Sequence, residues 1–448
     1  MAWTLCELST MTDDPQTIFY LDHTARLSGG EIALLRTLAA LDRTRVNPVV
    51  ILAEDGPFAE RLRQRGIEVQ VLPLSGSLRE VRKGSLGLGL FRQLGGVFVL
   101  LRYAAAIARL ARARRASLLH TNSLKSDIYG ALAGRMAGIP VVWHVRDHID
   151  PSYLPAPAVW LFRLLARTLP AFVLSNSLST ERSLRLPAAA RKAVVYDGLE
   201  ADELAELAPR PELAPETELA PETELAPETE LAFGQRSWRN GTAQAAPVSI
   251  GILGRLTSWK GQHVFLEAAA QLLASGCSAR FLVIGSPLFG ETDYEASLHR
   301  QVEALGIGEC VEFQGFRADL PAALRQLNIL VHASVIPEPF GQVVIEGMAA
   351  GLPVIATDGG GVQEIIRQGE TGILVPMSDP ALLASALQRL IEDPAKARRL
   401  AEAGRRHVAE TFTARQTVAR LEVIYDMLLV TSSRPLFPLP ESLWMRLF

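Results

Sequence analysis

Short apolar runs alternate with amphipathic stretches along most of the chain, which is the pattern of an α/β protein. The amphipathic stretches, such as residues 31–41, 125–137 and 159–167, predict helices. Strands of a parallel sheet read as continuous apolar runs, because helices cover both faces of the sheet. In the first half we predict seven strands, at residues 18–21, 49–53, 69–72, 118–121, 141–144, 172–174 and 193–196.

The same alternation starts again at Val248 and predicts a second sheet. At 448 residues the chain is too long for one ordinary core. We therefore predict two doubly wound, Rossmann-like domains, whose ligands would bind beyond the carboxyl ends of the strands, in a cleft between the domains. The strands of the second sheet are expected near Ile250, Leu282, Val311, Leu330, Val354 and Leu374.

Domain boundaries are placed where the pattern changes. The first domain is predicted to span residues 1–199 and the second residues 247–412, with a linker at 200–246. An amphipathic helix is predicted at residues 413–430, and the Pro-rich tail at 431–448 has no assigned structure.

The linker contains three identical copies of Glu-Leu-Ala-Pro-Glu-Thr, at residues 212–229. A proline in every sixth position breaks any helix, and the repeat has too little apolar surface to form a core. We therefore predict an extended, acidic and disordered connection that does not take part in the chemistry. Replication slippage at a tolerant site explains the repeat, and binding of a specific partner is the alternative.

Composition narrows the functional classes. Apolar residues make up 48% of the chain and charged residues 21%, as in a globular protein. The only cysteines, Cys6, Cys277 and Cys310, are widely spaced, so we predict no disulfide framework, no metal cluster and a reducing compartment, the cytoplasm. The first residues contain no basic leader, and we expect no secretory signal.

Charge is unevenly distributed. The whole chain carries −3, and residues 201–232 contain ten acids and one base, so the remaining residues carry +6. This mild excess of positive charge suits a phosphate-bearing substrate or an anionic surface, and we predict no nucleic-acid partner.

A basic segment, residues 79–115, contains nine Lys or Arg and one acid among apolar residues. Arg92 and Arg102 interrupt the apolar stretch, which argues against a membrane-spanning helix. Two interpretations are left open: an ordinary helix with one face in the core, or an amphipathic helix lying on an anionic membrane.

The most informative stretch is residues 334–361, where a strand is followed by a Pro-rich loop, a helix that begins at Gly341, a second strand and three glycines. Anionic groups bind well at a helix N-terminus, and a carboxylate accepts hydrogen bonds from a vicinal diol. Glu338 in the loop and Glu346 on the helix therefore suggest a sugar-nucleotide site. Two glutamates at this spacing also occur by chance, but Glu346 lies on an otherwise apolar helix, where an unused charge is costly to bury.

These residues resemble the family 4 glycosyltransferases, which are retaining enzymes of the GT-B fold. The resemblance extends, in the family's order, over almost the whole chain except the repeat and the tail. The motifs that carry it are residues 28–31, 142–147, 195–198, 254–261 and 336–360. One departure is Asp197-Gly198, where the family commonly has Asn-Gly, and both pairs favour turns.

The resemblance implies roles for individual residues. Arg255 and Lys260 would bind the diphosphate, His144 would orient the donor sugar or the acceptor, and Glu338 would contact the donor sugar near the reaction centre. The expected catalytic group is therefore His144, Arg255, Lys260 and Glu338, and the expected donor-binding group is Gly29, Gly30, Phe340, Gly341, Glu346 and Glu364. Phe340 and Gly341 would bind sugar hydroxyls through backbone N–H groups, Glu346 would bind the ribose diol, and a simple tight turn is the alternative for the Gly29-Gly30 pair.

The expected activity is transfer of a sugar from a UDP- or GDP-sugar to a glycan, lipid-linked or small-molecule acceptor. No Asp-x-Asp motif is present, and in a GT-B chain none is expected, so we predict no metal and no cofactor beyond the sugar nucleotide. The alternatives are a sugar-nucleotide epimerase of the GT-B fold and a catalytically silent binding or scaffold protein.

Overall fold

The computed structural model describes residues 14–73, 90–209, 247–287 and 291–432. The chain divides into two compact units. Unit 1 is formed by Met1–Glu200 together with Ala414–Phe448, and unit 2 by Ala201–Thr413.

Unit 1 is built on a parallel sheet of seven strands in the order β3-β2-β1-β4-β5-β6-β7. The strands are β1 (Gln16–Asp22), β2 (Val46–Leu52), β3 (Glu68–Val71), β4 (Leu118–Thr121), β5 (Val141–Val145), β6 (Phe172–Ser175) and β7 (Lys192–Val194). The helices are α1 (Gly29–Ala40), α2 (Pro57–Gln64), α3 (Leu90–Ala113), α4 (Leu124–Ala137), α5 (Ala156–Thr168), α6 (Leu178–Leu184) and, from the end of the chain, α15 (Ala414–Ser432).

The strand order of unit 1 reverses between β1 and β4, which pair in register from Ile18 opposite Leu118. Such a reversal leaves a crevice at the carboxyl ends of the two strands, and ligands of doubly wound sheets bind there. The four middle strands β1, β4, β5 and β6 are apolar and almost fully buried, because helices pack on both faces of the sheet.

The last described helix, α15, packs on unit 1. Its buried residues recur at helical spacing and join the same core cluster as β1, β2 and α1. They are Val418, Leu421, Ile424, Tyr425 and Leu428. At its exposed edge, Arg45 donates hydrogen bonds of 2.7 Å to both Glu422 and Asp426.

Unit 2 is built on a six-stranded parallel sheet in the order β10-β9-β8-β11-β12-β13. The strands are β8 (Val248–Leu253), β9 (Ala279–Ile284), β10 (Val311–Gly315), β11 (Ile329–His332), β12 (Val354–Thr357) and β13 (Ile373–Val375). The helices are α7 (Ala201–Leu207), α8 (Gln262–Ala274), α9 (Thr292–Leu305), α10 (Leu320–Arg325), α11 (Gln342–Ala349), α12 (Val362–Ile365), α13 (Pro380–Glu392) and α14 (Pro394–Thr411). Its strand order reverses between β8 and β11.

The prediction of two doubly wound, Rossmann-like domains is confirmed, and each predicted strand lies on an observed one. One detail differs, because Ala201–Leu207 forms helix α7 of unit 2, whereas the predicted linker starts at residue 200. The sequence of α7, ADELAEL, consists mainly of good helix formers, and Leu207 is buried. The repeat at residues 212–229 and the tail from residue 433 lie outside the described residues.

The basic segment is described only from residue 90 onward, as helix α3. Tyr103, Ala104 and Ile107 face the core, whereas Val97 and Phe98 are exposed. Within the described ranges, no helix combines the length and the apolar character needed to cross a bilayer. Contact of this helix with a membrane surface stays a prediction.

Candidate active site

The predicted diphosphate and sugar residues of unit 2 meet where its strand order reverses. Arg255 and Lys260 follow β8, and Glu338 follows β11, its neighbour in the sheet. Because carboxyl ends of parallel strands lie at one edge of the sheet, these side chains are brought together although about eighty residues separate them in sequence.

Glu338 forms the centre of this group. Lys260 Nζ donates to Glu338 Oε1 over 2.5 Å, and His332 Nε2 lies 2.9 Å from the same oxygen. Ser334 Oγ also donates a hydrogen bond to this oxygen. The Glu338 side chain is only 6% exposed and that of Lys260 19%, so this is a largely buried ion pair. Such a pair fixes the position of both charges, and removal of either partner would leave the other uncompensated.

Glu338 is held in its ionised form. Burial by itself raises the pKa of this carboxyl, but Lys260 and His332 outweigh burial and hold the pKa well below its usual range. At neutral pH Glu338 is therefore an acceptor of hydrogen bonds and cannot act as a proton donor.

Arg255 and Lys260 lie over the same aromatic ring. The guanidinium carbon of Arg255 is 5.6 Å from the centroid of Trp259, and Lys260 Nζ is 4.7 Å from it. Arg255 Nε is also 3.5 Å from Glu291 Oε2, and Thr257 donates to the other oxygen of Glu291 over 2.5 Å. Trp259 therefore holds two cations beside each other through cation–π contacts, an arrangement that suits an anionic ligand.

Glycines allow the backbone to approach Glu338 closely. Gly360 pairs with Glu338 in an isolated parallel bridge, and Gly361 N donates to the carbonyl oxygen of Glu338 over 2.8 Å. A Cβ atom on Gly360 would lie 2.0 Å from that oxygen. Gly341, at the N-terminus of α11, has a φ of 117°, which residues with a side chain rarely adopt.

The other predicted donor-binding residues lie on the same loop and helices. Glu346 is in α11 and is 7% exposed, and Glu364 is half-buried in the short helix α12. The Phe340 side chain is buried against Phe412, with ring centroids 5.9 Å apart, so only its backbone is placed to meet a ligand.

In unit 1, Gly29 and Gly30 form the first turn of α1, after β1. The Gly30 carbonyl accepts a 3.2 Å hydrogen bond from Asn122, which follows β4, and a Cβ on Gly30 would lie 3.6 Å from Arg146 Cδ. Arg146 Nε in turn donates to Asn122 Oδ1 over 2.8 Å, and its guanidinium forms a buried ion pair with Asp197. The glycine pair thus lies against a polar network at the switch point of this sheet.

Two acids support this turn. Asp22 accepts hydrogen bonds from His23 and Asn122; although burial opposes ionisation, these bonds hold its pKa below the ordinary value. Burial, together with the charge of Asp22, raises the pKa of Glu31 to about 7. Glu31 accepts from the Ser28 backbone over 3.0 Å in a capping box at the start of α1.

His144, the last predicted catalytic residue, is fully buried in β5. Its Nδ1 lies 3.1 Å from His120 Nε2 and 3.4 Å from Arg146 Nη2. Its Nε2 is buried and has no hydrogen-bond partner among the described residues. Burial first, and the neighbouring Arg146 second, hold the pKa of His144 well below its usual range, so the ring is neutral at pH 7.

Several residues of these two groups were not predicted from the sequence. They are Trp259, His332 and Ser334 in unit 2, and Asp22, His120, Asn122 and Arg146 in unit 1. Most of them end a buried strand or directly follow one, and a polar residue in that position is the signal that could have identified them. In the part of the chain that the structure describes, no group of three or more His, Cys, Asp or Glu residues is arranged to hold a metal ion.

Two family models match the chain. The model for glycosyl transferases group 1 matches residues 238–407, and that for a glycosyl transferase 4-like domain matches residues 28–194. The chain belongs to the group 1, or family 4, glycosyltransferases. The first match covers the whole sheet of unit 2, the second covers the sheet of unit 1 except β1, and together they include every predicted site residue.

Curated relatives of this glycosyltransferase family align with part of it. A D-inositol 3-phosphate glycosyltransferase of Corynebacterium urealyticum is 33% identical over 183 residues, which are 40% of this chain and 43% of that protein. A putative glycosyltransferase of Bacillus subtilis, EpsD, is 37% identical over 167 residues, or 37% of this chain and 42% of that protein. The chain therefore spans less than half the length of these relatives.

A solved structure aligns over nearly the whole length. The crystal structure of Anabaena HepE in complex with UDP-glucose has a TM-score of 0.73 and 25% identity, and the match covers 92% of this chain and 99% of that one. This match, with the two parallel sheets, confirms the predicted GT-B fold.

Proposed function

We propose that the protein transfers a sugar, with retention of anomeric configuration, from a nucleotide-diphosphate sugar to a glycan, lipid-linked or small-molecule acceptor. UDP-sugars are favoured over GDP-sugars, because the similar Anabaena protein binds UDP-glucose. Membership of the group 1 family supports the class of reaction.

The observation that carries the proposal is the pair of cations over Trp259 beside ionised Glu338. When the bond between sugar and phosphate breaks, negative charge grows on the leaving diphosphate. Arg255 and Lys260 are already fixed at the carboxyl end of β8, so they would stabilise that charge with little reorganisation. Fixed cations in this position would remove the need for a metal ion, and we propose that none is used.

The carboxylates would position the donor. Because Glu338 is ionised, it would accept hydrogen bonds from sugar hydroxyls and would not protonate a leaving group. Glu346 would bind the ribose diol in the same way, with Glu364 and the N-terminus of α11 completing the pocket. In unit 1, Gly29 and Gly30 would let the backbone approach the phosphates, and His144 would orient the sugar or the acceptor.

The function is tested by incubating the purified protein with a panel of UDP- and GDP-sugars, with and without acceptor extracts. Release of nucleotide diphosphate that depends on acceptor, with an α-linked product from an α-linked donor, is expected. Inversion at C2 without acceptor would instead identify an epimerase, and donor binding without turnover would identify a silent binding protein.

Lys260→Gln tests the site itself. Loss of a charge that stabilises the leaving group should lower kcat/KM by about 100-fold or more. Lys192→Gln is the matched control, since Lys192 also forms a partly buried ion pair, with Glu181, but lies in β7 at the edge of the other sheet. Equal activity of the two variants would contradict the site assignment.

A further inference from the structure

A chain of hydrogen bonds connects helix α15 to His144 through the interior of unit 1. Tyr20 OH lies 3.2 Å from Tyr425 OH, and Tyr425 OH lies 2.7 Å from His120 Nδ1. The other nitrogen of His120, Nε2, lies 3.1 Å from His144 Nδ1. All four side chains are buried, with exposures of 2% or less, so water does not compete for these bonds.

Both histidines are neutral at pH 7. Burial, assisted by the charge of Arg146, lowers the pKa of His120 to about 3, and the pKa of His144 is lowered by the same two causes and by His120. Each ring therefore carries one N–H and one acceptor nitrogen, and the partners determine which nitrogen is protonated.

Arg146 indicates in which direction these hydrogen bonds run. A guanidinium only donates hydrogen bonds, and Arg146 Nη2 is 3.4 Å from His144 Nδ1, so that nitrogen must be the acceptor. The proton of His144 is then on Nε2. His120 Nε2 must donate to His144 Nδ1, which leaves His120 Nδ1 as an acceptor for the hydroxyl of Tyr425.

We propose that Tyr425 and His120 are positioning residues that hold His144 in the Nε2–H tautomer, so that His144 presents a hydrogen-bond donor to an oxygen of a bound ligand. Its Nε2 is buried without a partner among the described residues, and an unpaired buried donor is costly. A ligand oxygen that reaches it would recover that cost. His144 would then be a donor to sugar or acceptor oxygens and not a general base.

The catalytic consequence rests on the proposed function, but the tautomer does not. The tautomer of each histidine can be measured by NMR in protein labelled with ¹⁵N-histidine, because couplings between ring nitrogens and carbon-bound protons distinguish protonated from unprotonated nitrogens. The signals of His120 and His144 are assigned from the spectra of His120→Gln and His144→Gln. We expect His144 to be protonated at Nε2 between pH 6 and 8, and protonation at Nδ1 would overturn the proposal.

Tyr425→Phe tests the hydrogen bond that connects helix α15 to His120. Without the hydroxyl donor, only the 3.4 Å contact of Arg146 with His144 still favours protonation of His120 at Nε2, so His120 should populate both tautomers, and the His144 signals should shift with it. Loss of this hydrogen bond should lower kcat about threefold to tenfold, with the KM for the donor within twofold. Unchanged signals of both histidines in Tyr425→Phe would overturn the role of Tyr425.

Two further variants separate positioning from packing. Tyr103→Phe removes a buried hydroxyl of unit 1 that has no partner in the described ranges, and it should change neither the signals nor kcat. His120→Leu should lower kcat more than Tyr425→Phe, and His120→Gln should restore part of it, because the amide donates as Nε2–H does. If His144 shows the expected tautomer but the protein turns over no sugar nucleotide, the positioning role of Tyr425 and His120 is supported and the proposed function is rejected.

Discussion

At the residue scale, the position of Glu338 depends on a glycine that follows a neighbouring strand. Gly360 has a φ of 69° and lies so close to the Glu338 backbone that a Cβ would be 2.0 Å from its carbonyl oxygen. Gly369 has a similar φ of 75°, but nothing lies within 4 Å of the position of its Cβ. Substitutions at these two glycines therefore separate the cost of backbone strain from the cost of displacing the Glu338 backbone.

Gly360→Ala should therefore be much more harmful than Gly369→Ala. The first combines an unfavourable φ with a backbone clash, and we expect a loss of about 3 kcal/mol or more of the free energy of unfolding. The second carries only the strain, about 1–2 kcal/mol. Chemical denaturation of both variants and titration with UDP measure the difference. Equal destabilisation, with UDP affinity retained in Gly360→Ala, would show that the glycine does not support Glu338.

The charged residues of this site could be predicted from the sequence, but the contacts between them could not. Lys260 and Glu338 were predicted from motifs, but their mutual ion pair depends on the adjacency of β8 and β11, which periodicity does not reveal. Trp259 was missed because a single tryptophan near two basic residues does not form a recognisable sequence pattern. His120 was missed because its partners, His144 and Tyr425, are 24 and 305 residues away.

At the scale of elements, α15 stabilises a sheet that it follows by more than two hundred residues in sequence. It packs on the face formed by β1, β2 and α1, and it is also the helix that brings Tyr425 to His120. Leu421 is fully buried in that face, and Val423, two positions further on, is 40% exposed. The two positions allow a comparison on one helix.

Leu421→Ala should destabilise unit 1 by about 2–5 kcal/mol, because it removes buried methyl groups and leaves a cavity. Val423→Ala should change the stability by less than about 0.5 kcal/mol. Thermal unfolding of both variants, followed with the circular dichroism of the whole chain, measures the effect. If the two variants unfold at the same temperature, α15 does not contribute to the core of unit 1.

Strands and helices were predictable where the pattern was strong. Every predicted strand lies on an observed one, because fully buried parallel strands leave continuous apolar runs. The error at α7 arose from composition, since the acidic residues before the repeat resemble the repeat but lack its prolines until Pro209. Helix formation there is favoured by Leu207, which is buried in unit 2.

At the scale of the whole molecule, the chain joins its two units twice, once after residue 200 and once before residue 414. The first connection is followed by the repeat, which the sequence predicts to be a linker without a chemical role. Gly29 and Gly30 in unit 1, and Arg255, Lys260 and Glu338 in unit 2, each lie at the switch point of their own sheet. Neither group includes a residue of the repeat, so the chemistry should not depend on the number of copies.

Deletion of residues 212–229 tests this interpretation. It roughly halves the segment between the described parts of the chain, and the entropy of closing a flexible loop changes by only about 0.6 kcal/mol for a twofold change in length. We therefore expect kcat and the KM for the donor to stay within about twofold of wild type, and the unfolding free energy within about 1 kcal/mol.

A Gly/Ser segment of the same length, inserted in place of the repeats, is the matched control because it keeps the reach and removes the sequence. A tenfold loss in the deletion alone would show that length is required, and the same loss in both proteins would show that the Glu-Leu-Ala-Pro-Glu-Thr repeats bind something that activity needs.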